Sequence, residues 1–181
     1  MYRRLLAALT LAAAATAPAL ASLTVGTAAP DFKTQASMGG KVFTFNLADA
    51  LKKGPVVLYF YPAAFTKGCT IEAHDFAAAI DRYKKLNATV IGVSHDTIGT
   101  LNKFSVSECR SKFPVAADPK LTVAKAYDAV LPEDPTYANR TSYVIAPSGK
   151  IVYTYTNMEP DQHVANTLNA LRKLQASGSQ K

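Results

Sequence analysis

Two cysteines carry the only thiols in this sequence, and Cys69 stands where chemistry is easiest to imagine. It follows the run GPVVLYFYP (54–62) and opens the run CTIEAHDFAAAIDRYKKL, with Pro62 and Thr66 just upstream. A thiol is a poor nucleophile and a thiolate a good one, so a reactive cysteine needs surroundings that favour the anion. The start of a helix offers them, through free backbone N–H groups and the positive end of the helix dipole. Thr66, three residues back on the same turn, can present a hydroxyl to the sulfur. Pro62 fixes its own φ, has no N–H, and can shield the sulfur from bulk water. Position alone leaves three readings open: a buried structural cysteine, a partner for Cys109, or a nucleophile. His74, His95 and His163 show no HxxxH or HxxE spacing and neither cysteine has a CxxC partner. They therefore read as surface or helix-packing histidines, and no metal or haem site is expected.

The elements that must position Cys69 are legible in outline. GPVVLYFYP is a continuous apolar run with β-branched and aromatic residues, bounded by Gly and Pro, as in a buried central strand. Ile71, Phe76, Ala79, Ile80 and Tyr83 recur near helical spacing and predict a helix over 70–86. ATVIGVS (88–94) predicts a second buried strand. A helix over 96–108 follows, capped by Asp96 or Thr97. FPVAADP (113–119) predicts a strand ending in a turn, and KLTVAKAYDAV (120–130) a helix. TSYVIAPSGKIVYTYT (141–156) predicts two strands joined at Pro147-Ser148-Gly149. A last amphipathic helix over 161–176 carries Val164, Leu168, Leu171 and Leu174 along one side. Strand–helix–strand, then a hairpin and a closing helix, predicts an α/β sandwich of thioredoxin-like type, a mixed central sheet flanked by helices.

Pro62-x-x-x-Thr66-x-x-Cys69 resembles the active-site signature of the peroxiredoxins. The likeness extends to FYP before it and CTIEAHDF after it. VIGVSHDT (90–97) is similar to the strand and loop that follow the catalytic helix there, and FPVAADP to the family's FPLLSDP stretch. NRTSYVIAPSGKI (139–151) is similar to the segment that carries the family's active-site arginine. These ordered motifs cover nearly all of the chain from about Ala29 onward, and the nearest branch is the Q-type, or bacterioferritin-comigratory, peroxiredoxins.

The resemblance implies roles. Cys69 is then the peroxidatic cysteine, attacking one peroxide oxygen and becoming a sulfenic acid. Thr66 holds thiolate and peroxide, and Pro62 closes the pocket. Arg140 favours the thiolate and stabilises charge on the leaving oxygen. Glu72 either orients Arg140 or is solvated at the surface. Many Q-type members place a resolving cysteine five residues after the peroxidatic one, where this chain has His74. Others place it in the helix after the second strand, which makes Cys109 the candidate resolver against an unpaired or structural thiol. A disulfide needs Cα atoms within about 7 Å, so bridging implies local unwinding around both cysteines. The implied function is thiol-dependent reduction of hydrogen peroxide and organic hydroperoxides, with no cofactor. The partners are a peroxide and an external thiol reductant, either a thioredoxin-like protein or a small thiol, and the chain works as a monomer or homodimer. The alternatives are an exported thioredoxin-like thiol–disulfide oxidoreductase, which needs a cysteine at position 72, and a non-enzymatic binding or chaperone-like module on the same fold.

The ends and the charge set the remaining limits. Residues 1–21 have a basic start, an Ala-rich apolar stretch broken by Thr10, Thr16 and Pro18, and Ala19-Leu20-Ala21 as a cleavage site. That is the anatomy of a secretory signal peptide rather than a membrane span. Cleavage leaves one domain over 22–181, expected to be exported to a bacterial periplasm, with no membrane attachment. Loss of Arg3 and Arg4 takes the formal charge from +7 to +5, 18 basic residues against 13 acidic. The basic residues are dispersed, so no nucleic-acid surface is expected. Asn87-Ala-Thr89 and Asn139-Arg-Thr141 match the glycosylation sequon.

Overall fold

The elements run β1 (Lys33–Met38), β2 (Lys41–Asn46), α1 (Leu47–Leu51), β3 (Val56–Phe60), α2 (Lys67–Lys85), β4 (Thr89–Ser94) and α3 (Ile98–Ser107). They continue with β5 (Val115–Ala117), α4 (Thr122–Ala126), β6 (Thr141–Ile145), β7 (Ile151–Thr156) and α5 (His163–Gly178). This is a computed structural model that describes residues 22–178, so the leader expected at 1–21 lies outside the described residues.

One seven-stranded sheet has the order β2-β1-β5-β4-β3-β6-β7. The run VVLYF becomes β3 because every one of its side chains is covered, as an inner strand requires. Val57 and Tyr59 point into the half of the core that holds Phe76, Ile80 and Tyr83 of α2, Leu101 and Phe104 of α3, and Leu168 and Leu171 of α5. Val56, Leu58 and Phe60 point into the other half, with Leu47 and Leu51 of α1, Val123 of α4, and Tyr127. The result is the expected thioredoxin-like sandwich. Tyr59 stacks on Phe76 with ring centroids 4.3 Å apart, a contact worth about 1 kcal/mol beyond its buried area.

Strand directions bring distant segments to one edge of the sheet. β3 runs parallel to β4, so the loops that leave both strands emerge side by side. There Asp96 Oδ2 accepts the Ala64 N–H at 2.7 Å. β6 runs antiparallel to β3, and the register pairs Phe60 with Thr141. The start of β6 therefore lies against the end of β3, which is why position 140 meets the beginning of α2.

The structure decides one alternative, shortens one element and adds a hairpin. Asp96 is not a helix cap. Thr97 caps α3, its side chain accepting from the Thr100 N–H, while Asp96 is engaged with Ala64 and Ser94. The helix expected over 120–130 is only α4, because Leu121 and Asp128 adopt left-handed φ of 53° and 49° at its two ends. An antiparallel pair, β1 with β2, precedes β3 and was not foreseen. Its strands are mostly exposed and polar and show no apolar run.

Candidate active site

Cys69 is the third residue of α2, and Thr66 is the residue that caps it, without a side-chain cap bond. The first-turn amides of α2 thus lack partners from a capping side chain, and Cys69 in that turn is only 2% exposed. The turn ahead of the helix is fixed rather than loose. Phe65 takes a φ of 66°, Thr66 Oγ1 donates to Ala63 O at 3.0 Å, and Asp96 holds Ala64 from across the sheet edge. Thr66 is exposed, and its hydroxyl proton is committed to Ala63 in this state. Its oxygen lone pairs remain available. Pro62, half-buried, lies two residues past the end of β3.

Arg140, 3% exposed, spreads its guanidinium over three acceptors. Nη2 donates to Cys69 Sγ at 3.5 Å, Nη1 to Glu72 Oε2, and Nε to Met158 O at 2.8 Å. A planar fork pinned on three sides has one orientation. Burial works against the charge of Arg140, but the Glu72 carboxylate and the Cys69 sulfur more than offset it, and its pKa is raised. Glu72 belongs to this site. It is fully buried one turn beyond Cys69, so the surface reading of Glu72 is excluded. Burial raises its pKa to about 8 in spite of Arg140.

Gly68 has a specific reason to be there. A Cβ at this position would lie 3.0 Å from Arg140 Nη2. Gly68→Ala should raise helix propensity by up to about 1 kcal/mol while pushing the guanidinium off its acceptors. We expect an unchanged or higher melting temperature together with a peroxide reaction slowed about tenfold, since small misplacements are costly to oriented groups. An unaltered reaction rate would show that the close approach has no catalytic meaning.

Sequence reasoning missed the histidine at the heart of this cluster. His163 is fully buried at the start of α5. Its Nε2 lies 2.9 Å from Asn157 O, its Nδ1 is 2.8 Å from Ser142 Oγ, and Nδ1 is also 3.7 Å from Glu72 Oε1. Burial lowers its pKa to about 4. Helix packing was a fair reading of it, but nothing local in the sequence ties position 163 to position 72. The other two histidines sit elsewhere. His95 packs its ring on Tyr137 at 4.6 Å, and His74 Nε2 pairs with Glu108 Oε2 at 2.8 Å.

Cys109 lies just past the end of α3 and is fully buried. Both cysteines are free, and both belong to the same half of the core. Burial pushes the Cys109 thiol well up, with the neighbouring Glu108 adding to the effect. The residues that follow it, Arg110 and Ser111, hold left-handed φ of 51° and 57°, conformations that cost non-glycine residues on the order of 1 kcal/mol each. His74 therefore ties α2 to the residue beside Cys109. Of the two sequon asparagines, Asn139 is buried, and the Asn87 amide donates to Lys53 O at 2.7 Å. A depression of about 390 Å³ lined by Lys67, Gly68, Ile71, Met158 and Pro160 opens beside the start of α2.

Comparison with known proteins points to one family. The profile of the AhpC/TSA family matches residues 25–154. A putative peroxiredoxin bcp of Helicobacter pylori is 34% identical over 154 residues, 82% of this chain and 98% of that one. The chloroplastic peroxiredoxin Q of Triticum aestivum is 32% identical over 163 residues, 90% of this chain and 73% of that one. Among solved structures, peroxidoxin BcpB of Mycobacterium tuberculosis superposes with a TM-score of 0.74 at 29% identity, covering 82% of this chain and 96% of that one.

Proposed function

Since the chain belongs to the AhpC/TSA family, as a Q-type peroxiredoxin and thiol peroxidase, we propose that Cys69 is its peroxidatic cysteine and Cys109 its resolving one. The observation that carries the first assignment is the three-point grip of Arg140 on Sγ, Glu72 and Met158 O. The Cys69 thiolate attacks one oxygen of a hydroperoxide, the O–O bond breaks, and the departing alkoxide or hydroxide takes a proton. Arg140 stabilises negative charge at the sulfur before attack and on the leaving oxygen after it. In this reading the free amides at the start of α2 and the Thr66 lone pairs bind the peroxide beside the sulfur, and Pro62 limits the wetting of the site. Exposed Phe65, Ile71 and Met158 near the helix start favour organic hydroperoxides alongside hydrogen peroxide. The thiol–disulfide oxidoreductase alternative needs a sulfur at position 72, where Glu72 is instead buried on Arg140.

Recycling follows from what surrounds Cys109. The sulfenic acid on Cys69 condenses with the Cys109 thiol, releasing water and forming a disulfide, which an external dithiol of thioredoxin-like type or two small thiols then reduce. For the sulfurs to meet, the start of α2 and the end of α3 must both loosen. The strained pair Arg110–Ser111 makes the second segment easier to unwind, and the His74–Glu108 contact opposes it. After one equivalent of peroxide, intact mass with thiol alkylation should show a loss of two hydrogens and no free thiol. In Cys109→Ser, sulfenic and then sulfinic acid should accumulate instead. A wild type that stops at sulfenic or sulfinic acid would make Cys109 a bystander and the enzyme dependent on an external thiol for resolution. Residues 1–21 support export to a compartment that tolerates such a disulfide, a bacterial periplasm.

A further inference from the structure

Glu72 is the anomaly of the buried cluster. Oε2 is held by Arg140, but Oε1 is buried with no hydrogen-bond partner. The nearest polar group from α5 is the wrong kind for a carboxylate. Asn157 O can only accept, so His163 Nε2 carries the ring hydrogen. Nδ1 is then a lone pair, taken by the Ser142 hydroxyl at 2.8 Å, and it faces Oε1 at 3.7 Å. An ionised Oε1 meets an acceptor there; a protonated Oε1 meets a place to donate, once the Ser142 hydroxyl turns aside. The other groups facing Glu72 do not help the anion. Asp75 on the same helix adds negative potential. The phenols of Tyr59 from β3 and Tyr83 from α2 are neutral, both pushed further from ionisation by burial. Arg140 is the facing cation, and it is shared with Cys69.

Charge counting decides between the two forms. With Cys69 as a thiol, Glu72 ionised and Arg140 cationic, the cluster is neutral. If Cys69 became a thiolate with Glu72 still ionised, one guanidinium would face two anions in a buried site, a costly imbalance. We infer that Glu72 holds the proton in the reactive state: the Cys69 thiol and the Glu72 carboxylate become the Cys69 thiolate and a neutral Glu72 acid protonated at Oε1, with His163 as the positioning residue that presents the acceptor. One S–H is lost, one O–H is gained, and the cluster stays neutral with the sulfur as the only anion facing the Arg140 charge. Once sulfur is oxidised and its charge is gone, Glu72 gives the proton back through solvent to the alkoxide released from the peroxide, and again balances Arg140. The upward displacement of Glu72 to about 8 and the downward displacement of His163 to about 4, both by burial, agree with a neutral pair.

This inference rests on the peroxidase reading and is tested separately from it. The rate of Cys69 oxidation by hydrogen peroxide is followed by rapid quenching, alkylation and intact mass from about pH 5 to about pH 10. In wild type the rate should rise as thiolate forms, then fall by about tenfold as Glu72 ionises and draws Arg140 away, less than the loss of a whole electrostatic donor. Glu72→Gln cannot ionise, so its alkaline fall should vanish and its rate should exceed that of wild type at the alkaline end. His163→Asn places an N–H donor where the lone pair now faces Oε1. That favours the carboxylate and should move the fall about one pH unit lower. Should His163→Asn not fold, infrared difference spectra of wild type serve instead, where a protonated carboxyl band absent from Glu72→Gln is expected. A Glu72→Gln rate below wild type at every pH, or a wild type with neither alkaline fall nor carboxyl band, overturns the inference while leaving an active peroxidase. An unmoved fall in folded His163→Asn removes His163 from it. A wild type inert to peroxide would instead sink the peroxidase reading itself.

Discussion

Cys69→Ser should abolish peroxide reduction with any thiol reductant while leaving the fold in place. Serine is nearly the size of cysteine, and its hydroxyl can still accept from Arg140 Nη2, so the buried guanidinium is not orphaned. What is lost is the nucleophile, because an alcohol does not ionise near neutral pH and its oxygen cannot take a second oxygen reversibly. Cys109 cannot substitute for it. Its thiol is fully buried and held protonated by that burial. Peroxide consumption by Cys69→Ser in excess dithiol should therefore match a protein-free control, with an unchanged circular dichroism spectrum. Turnover that survives in Cys69→Ser and disappears only when Cys109 is also replaced would move the chemistry to the other sulfur.

The second large effect lies at Arg140. Its removal takes away the donor to the thiolate and to the leaving oxygen together, and Arg140→Ala should slow Cys69 oxidation on the order of 10²–10³-fold. It also strands Glu72, which then stays protonated with Oε2 lacking its donor, so a stability loss of about 1–3 kcal/mol should accompany the kinetic one. Arg140→Lys separates the two. An ammonium keeps a positive charge beside Glu72, but from one nitrogen it cannot reach Met158 O, Glu72 and Sγ at the angles the fork provides. We expect it to recover most of the stability and little of the rate. Wild-type peroxide kinetics in Arg140→Ala would take Arg140 out of the site.

The parts of this site that were readable in sequence are those fixed by local chain geometry. Pro62, Thr66 and Cys69 span one strand end and one helix start, and VVLYF announces an inner strand by itself. Arg140 came only through resemblance, because its place beside Cys69 depends on the pairing of Phe60 with Thr141 across β3 and β6. Glu72 was ambiguous for the same reason: one turn along the helix from Cys69, it faces either solvent or core, and only the packing of β6 and α5 decides. His163 and Ser142 were invisible as a pair, since a single histidine carries no spacing to read. The hairpin of β1 and β2 escaped because its signal was two six-residue strands of mostly polar residues around Gly39-Gly40, with φ of 56° and 77°. β2 is the edge of the sheet and β1, though paired on both sides, buries only Ala36 and Ser37, so neither leaves a hydrophobic pattern.

The unpartnered Oε1 of Glu72 also bears on how this sequence can evolve. A carboxyl, a guanidinium and a thiol buried together are poor building material; apolar side chains of the same volume in such a place are often neutral or stabilising by about 1–4 kcal/mol. Selection for folding alone would then favour erasing the cluster, and selection for peroxide reduction is what holds it in place. A descendant relieved of that second pressure should lose Glu72 and Arg140 together rather than one at a time, because each is tolerable in the core only while the other remains.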